Sequence, residues 1–218
     1  MISVSEKYYK RDFWADENLK YRQPHFRMEK AARLVNKIAN GQECSLLDVG
    51  CGPATLKHLL DPTIHDHGID IAIQEPSPDL IEVDFVESPI SFRGKRFDII
   101  VAQGVFEYIG SVQRQKLLEI RSLLKETGTF IATYVNFDHR SKNIYWQYNN
   151  IQSFRVFYCS LRQFFNVDRY FPTSHRWYHD EPRGRILWFL QKYINLNIPL
   201  LSRSFAVEFF FVCSKETE

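Results

Sequence analysis

The chain has 218 residues, of which 44% are apolar, and its 28 Lys and Arg against 26 Asp and Glu leave a net charge of +2. That is enough apolar material for one large domain, and the near-neutral balance does not announce a nucleic-acid protein. No run of about 18 apolar residues occurs, so no membrane-spanning helix is expected, and the opening MISVSEKYYKRDFW lacks the apolar segment of a secretory signal.

In chain order, RMEKAARLVNKIANG has apolar residues at Met28, Ala31, Ala32, Val35, Ile38 and Ala39, the spacing of a helix that Gly41 would stop. SLLDVG predicts a buried strand, ATLKHLL a short helix before Asp61-Pro62, and HGIDIA and LIEVDF two further strands. FDIIVAQGV predicts a fourth strand, apolar on both faces as in a covered parallel sheet. SVQRQKLLEIRSLLKETG predicts an amphipathic helix with Ser111 as N-cap and Gly128 past its end, and GTFIATYV a fifth strand. Beyond residue 138 the chain is polar and aromatic. SLRQFFNVDRYFP predicts a short helix running into a strand, RGRILWFLQKYI a helix, and SFAVEFFFVCS a last strand that can pair with the preceding one as a hairpin. The alternation of strand and helix predicts an open α/β sheet.

Charge is placed unevenly. Residues 31–137 hold ten Lys and Arg against fourteen Asp and Glu, whereas residues 138–185 hold eight against four. The four cysteines, Cys44, Cys51, Cys159 and Cys213, show neither zinc spacing nor a disulfide framework, so a reducing cytoplasm is the expected location and no metal is expected.

Ligands of an open α/β sheet bind beyond the carboxyl ends of its strands, and LLDVGCGP (residues 46–53) lies at one such end. Gly50 and Gly52 remove side chains where the backbone must turn and a ligand approach. The third position of a dinucleotide fingerprint is Thr55, so that fingerprint fails. Asp48 would repel a pyrophosphate and favour a cationic ligand.

This stretch resembles motif I, (D/E)-x-G-x-G, of the class I S-adenosylmethionine (SAM) dependent methyltransferases. The resemblance continues in order through GIDIA, EVDF, FDIIVAQGVFEYI and LLKETGTFIAT, over residues 27–137. It implies a Rossmann-like sheet, mostly parallel with an antiparallel last strand and helices on both faces. It also implies SAM as methyl donor and S-adenosyl-L-homocysteine as product. Asp48, Gly50, Cys51 and Gly52 would line the methionine portion, and Asp70 with Ile71 the ribose. Asp84 would accept from the adenine amino group, and Phe85 would pack on its ring. Gln103 and Gly104 would border the reacting methyl. Arg27 and Tyr21, in the aromatic N-terminal segment, would close over the cofactor. Two features depart from the family pattern. Only 13 residues, two of them proline, separate Asp70 from Asp84, too few for the usual helix. Tyr108 stands where many small-molecule members carry a histidine.

The resemblance implies one domain over 1–218: covering helices at 1–40, the SAM-binding core at 41–137, an acceptor-binding lobe at 138–185, and a C-terminal helix and strand at 186–218. A base is needed only if the methyl acceptor must lose a proton, and His139, His175, His179 and Tyr178 are the candidates in the lobe. Arg155, Arg162, Arg169 and Arg176 could anchor an anionic small molecule, which is the favoured acceptor class, a sugar or specialised metabolite among them. The basic, apolar stretch RGRILWFLQKYINLNIPLLSR leaves a lipid-linked acceptor or transient membrane contact open. Nucleic acid is disfavoured, since AQGV replaces the N-P-P-Y type motif of base amino methyltransferases. The competing class is a SAM-binding protein without transferase activity, and a dehydrogenase comes third.

Overall fold

The computed structural model describes residues 26–73, 75–90, 92, 94–110, 112–137, 152–175 and 206–215. Helix α1 spans Phe26–Ala39. It ends as its spacing predicts, with Asn40 and Gly41 in the left-handed region at φ 50° and 73°. Strand β1, Cys44–Val49, leads through the glycine turn into a short 3₁₀ helix at Thr55–Leu59 and then into β2, Ile64–Asp70. Strand β3 is Leu80–Glu82 and β4 is Phe97–Ala102, followed by a 3₁₀ turn at Phe106–Tyr108. Helix α2, Gln113–Leu123, runs directly into β5, Leu124–Val135. Helix α3, Phe154–Leu161, precedes β6, Phe165–His175, and β7 is Ala206–Lys215.

The strands form one sheet in the order β3-β2-β1-β4-β5-β7-β6. β1 pairs in parallel with β2 and β4, as β2 does with β3 and β4 with β5. β7 is antiparallel to both β5 and β6, so the last two strands do pair as an antiparallel unit. Successive residues of a strand face opposite sides, and the core divides accordingly. Leu46, Ile99, Val101, Ile131 and Phe210 pack with Ala31, Ala32 and Val35 of α1 on one face. Leu47, Ile100 and Phe130 pack with Leu117 and Ile120 of α2 and Phe157 of α3 on the other. The unbroken apolar run in β4 is therefore the signature of a strand covered twice.

Four sequence expectations are corrected. ATLKHLL folds as a 3₁₀ helix over Thr55–Leu59, entered from left-handed Ala54 (φ 54°) and ended before Pro62. LIEVDF contributes only the short β3, which pairs with Gly68–Asp70 at the sheet edge. Helix α2 stops at Leu123 instead of reaching Gly128, because Leu124 pairs with Phe97 and starts β5 early; Ser111, its expected cap, lies outside the described residues. Residues 154–175, assigned by sequence to the acceptor lobe, are α3 and the edge strand of the main sheet. The expected helix RGRILWFLQKYI also lies outside the described residues.

Tyr134 shows how α3 is locked to the sheet. Its ring stacks on Phe157 at 4.1 Å, and its hydroxyl donates to the Gln152 carbonyl at 2.8 Å and accepts from Gln113 Nε2 at 3.4 Å. Tyr134→Phe keeps the stack and removes both hydrogen bonds, so a loss of about 1–3 kcal/mol is expected in urea unfolding. A loss well beyond that range would mean that the hydroxyl supports more than these contacts.

Candidate functional site

The chain passes from β1 outward to β2 and β3, then returns to β4 on the other side of β1. The carboxyl ends of β1 and β4 thus flank the point where the strand order reverses, which is where open α/β sheets form a ligand crevice. Gly50 and Gly52 follow β1 with φ of 74° and 54°, values that a side chain would strain. A Cβ on Gly50 would lie 2.5 Å from the Val105 Cγ2 atom, so the segment after β4 closes directly onto the glycine turn. Cys51 is buried, and its sulfur packs where a Cβ on Gly68 would fall, 2.7 Å away. Cys51 therefore fastens the turn to β2, and burial, with Asp48 nearby, pushes its thiol up.

Asp70 ends β2 and is buried. One of its carboxylate oxygens accepts from the Gly52 amide at 2.8 Å and the other from the Ala72 amide at 3.1 Å. The acid at the end of the second strand thus fixes the shape of the first turn. It also occupies the Gly52 N–H, which a pyrophosphate-binding turn would have to offer to its ligand. Burial raises the Asp70 carboxyl, and the amides of Gly52, Ala72 and Ile71 pull it back in part. Ile71, half-buried, continues the chain past the strand end. Asp48 is buried on the same face, and burial, then Asp66 and Asp70, hold its carboxyl well above the usual range while Arg27 opposes the shift.

Beyond β4, Gln103 is half-buried, and its Oε1 accepts no hydrogen bond among the described residues. Gly104 has a φ of 68° and donates its amide to Thr133 Oγ1 at 2.9 Å. A Cβ there would lie 3.1 Å from the Arg27 guanidinium, which stands at the start of α1. Arg27 donates to Glu208 of β7 at 2.8 Å. Burial pulls the Arg27 pKa down, but Glu208 and Glu107 outweigh it and the net direction is up. Glu107 was missed by sequence. Its side chain is 2% exposed, and neither carboxyl oxygen accepts a hydrogen bond of standard geometry among the described residues. Burial and then Glu208 raise its pKa. The signal was present as an acid inside the apolar run GVFEYIG.

Other sequence-assigned residues fare differently. Asp84 turns a carboxylate oxygen onto the Val86 amide at 2.8 Å, capping its own turn, besides any ligand role. Phe85 has its ring packed in the core, edge-on to Phe106 with the Lys116 ammonium 5.2 Å from its centre. The turn capped by Asp84 points it inward, because burial of a whole aromatic ring outweighs partial cover of a ligand. His175 ends β6 by its backbone, paired with Ala206. Tyr21, His139, Tyr178 and His179 lie outside the described residues, as does Arg176. Arg169 stands on the edge strand, with β5 and β7 between it and β4, and Arg162 sits over the Tyr158 ring at the end of α3.

A separate cavity of about 360 Å³ lies at the amino-terminal half of β2, lined by Lys57, His65, Asp66, His67, Asp79 and Lys95. His67 Nε2 is 3.2 Å from Asp79 and 2.6 Å from the Lys95 ammonium, which donates to it. Burial is the main cause that pushes the Asp66 carboxyl from 3.8 to about 6; Lys57 and His58 oppose it, and Asp79 adds to it. Between about pH 4 and 6 the folded chain holds a proton that the unfolded chain has released. The stability this contributes is therefore full below about pH 4 and lost as pH rises through about 6. Urea unfolding of Asp66→Asn should give a flatter profile across that window, and a profile parallel to the wild type would contradict the assignment.

The architecture is that of a Rossmann-like methyltransferase fold with a glycine turn and acid pair at its switch point. The family model for a methyltransferase domain matches residues 23–190, and the chain belongs to that family, as a class I SAM-dependent methyltransferase. Solved structures with similar folds include the N-methyltransferase NodS from Bradyrhizobium japonicum in complex with S-adenosyl-L-homocysteine. It is 12% identical, with 98% of this chain and 99% of that one covered and a TM-score of 0.64. A TehB-like SAM-dependent methyltransferase from Corynebacterium glutamicum is 18% identical, with 97% and 98% covered and a TM-score of 0.59. A methyltransferase solved with the Haloferax volcanii Trm112 activator is 19% identical, with 95% and 96% covered and a TM-score of 0.61. No curated protein matches the chain in sequence. Among the described residues no helix is long and apolar enough to cross a membrane.

The crevice fits this cofactor by its donor and acceptor balance. Asp48, Asp70, Gln103 and Glu107 all bring acceptor oxygens, which suit a ligand rich in hydroxyl donors and positive charge. When bound, SAM supplies a methyl group on a sulfonium that is already a good leaving group.

Proposed function

We propose that the chain moves the methyl group of SAM to a small-molecule acceptor. The observation that carries this reading is the Asp70 carboxylate, held by the Gly52 and Ala72 amides at the strand end beside the glycine turn. Its remaining lone pairs would receive the ribose hydroxyls, with Ile71 alongside. Asp48, Gly50, Cys51 and Gly52 would form the methionine side, Asp84 would serve the adenine amino group, and Gln103 and Gly104 would border the methyl. Arg27, and Tyr21 before it, would close the crevice. Aligning donor and acceptor can supply about 7–11 kcal/mol of the barrier.

The small-molecule reading is favoured over nucleic acid because the groups that gather around the carboxyl ends of β1, β2 and β4 are Asp48, Asp70 and Glu107, with Glu208 of β7 beside the end of β5. These groups offer a phosphate backbone no positive charge, and Arg27 among them is bonded to Glu208. Incubation of the full chain with methyl-labelled SAM and a fractionated cell extract tests this. Label in the small-molecule fraction supports the reading, and label in RNA replaces it. Cofactor binding without label in any fraction favours a SAM-binding protein that does not transfer.

A further inference from the structure

Helix α2 carries a lysine on its buried face. Gln113, Lys116, Leu117 and Ile120 make up that face, and Lys116 is 1% exposed where a core-facing stripe ordinarily carries an apolar residue. Its ammonium donates to both carboxylate oxygens of Glu119 at 3.0 Å and to the Ser88 carbonyl at 2.9 Å. Glu119 in turn accepts from the Ile90 amide at 3.4 Å. A well-packed apolar pair would hold a helix to its core at least as firmly as a buried ion pair. What this pair adds is direction, because it ties α2 to Ser88 and Ile90 in the segment after β3. The Ser88 amide donates to the Asp84 carbonyl at 2.9 Å, and the Val86 amide donates to an Asp84 carboxylate oxygen at 2.8 Å. Residues 84–88 are thus one closed turn, and Lys116 fixes its far end. Its near end is fixed by β2, since the Val83 amide donates to the Asp70 carbonyl at 2.8 Å. Asp84, half-buried, follows directly on that bond, so its place beside Asp70 is set from both sides.

We propose that Lys116 is a positioning residue for the cofactor: through Ser88 it holds the turn of Asp84 where that carboxylate meets the adenine amino group, and so sets the preference for this base. Lys116 is buried and acts only through the turn. Without its ammonium the Ser88 carbonyl is released, and Asp84 keeps its cap on Val86 but loses its fixed place. The inference rests on the SAM-dependent reading and on the adenine role proposed for Asp84.

The test compares S-adenosyl-L-homocysteine with an analogue that carries purine in place of adenine and so lacks the amino group. Calorimetry on the full wild-type chain comes first. It should bind S-adenosyl-L-homocysteine at least about tenfold more tightly than the analogue, the worth of one hydrogen bond to a charged acceptor. No saturable binding of either ligand would sink the cofactor reading, and equal binding of both would sink the adenine role of Asp84; each takes the proposal with it, and the two are told apart. Lys116→Met, which keeps the stem and removes the ammonium, should bring the preference below about threefold by weakening S-adenosyl-L-homocysteine alone, with the analogue within about twofold of wild type. A merely structural lysine would weaken both ligands together or neither, so a preference that survives in the folded variant overturns the proposal. Lys116→Met combined with Glu119→Leu makes the whole pair apolar, which spares the fold an unpaired carboxylate, and should lose the preference equally. Hydrogen exchange on the wild type needs no variant. The amides of residues 86–90 should slow by about tenfold or more under saturating S-adenosyl-L-homocysteine and not under the analogue. Equal slowing by both ligands, or none by either, would contradict a turn held in place for the amino group.

Discussion

Asp70→Ala is expected to lose cofactor binding by about a hundredfold or more, the worth of two hydrogen bonds to a charged acceptor at about 1.5–3 kcal/mol each. It acts twice. It removes the acceptor proposed for the ribose hydroxyls, and it deprives the Gly52 and Ala72 amides of the oxygens they donate to at 2.8 and 3.1 Å. Both amides belong to the segment that shapes the crevice, so a fall in melting temperature should accompany the loss. Asp70→Asn separates the two effects. Its amide oxygen can keep one backbone contact while the negative charge is gone, so it should fold more stably than the alanine variant and still bind the cofactor weakly. A folded Asp70→Asn with wild-type affinity would reduce Asp70 to a structural role.

The second large effect is expected at Gly50. Gly50→Ala places a methyl at φ 74°, where L-residues are strained, and sets it 2.5 Å from Val105 Cγ2. The strain alone costs about 1–3 kcal/mol, and the overlap must push away the turn that carries Gln103, Gly104 and Glu107. That turn is tied to β5 through the Gly104 amide and Thr133, so it cannot yield freely. Cofactor binding should fall by more than about tenfold as the crevice is distorted. Val105→Ala added to Gly50→Ala removes the overlap and leaves the φ strain, so it should restore part of the affinity and little of the stability. Full affinity in the single variant would show that Val105 gives way at no cost and that the turn's shape does not govern binding.

The parts of this site that were legible in the sequence are those where the backbone itself makes the demand. Gly50, Gly52 and Asp70 could be read because a turn after a buried strand needs left-handed residues and an acid to hold its amides. The doubly covered β4 could be read because its apolar run has no polar alternation. Phe85 could not be placed, since whether a ring after a strand meets a ligand or the core depends on the direction of the next turn, which the Asp84 cap sets. The end of α2 misled for a related reason. Helix propensity continues through Leu124, Lys125 and Glu126, but pairing of Leu124 with Phe97 captures the segment for β5. Glu107 escaped notice because its meaning arises only when Arg27, near the start of the chain, and Glu208, near its end, are brought beside it. The arginine-rich segment invited an anionic acceptor, yet Arg169 stands on the edge strand beyond β7.

The central claim is that the crevice over LLDVGCGP binds SAM through Asp70. Calorimetric titration of the full chain with SAM, beside the folded Asp70→Ala variant, tests it most directly. The expected result is saturable binding of one SAM per wild-type chain that weakens by about a hundredfold or more in the variant. A folded wild-type chain that gives no saturable heat up to millimolar SAM, or a variant that binds as tightly as the wild type, would contradict it.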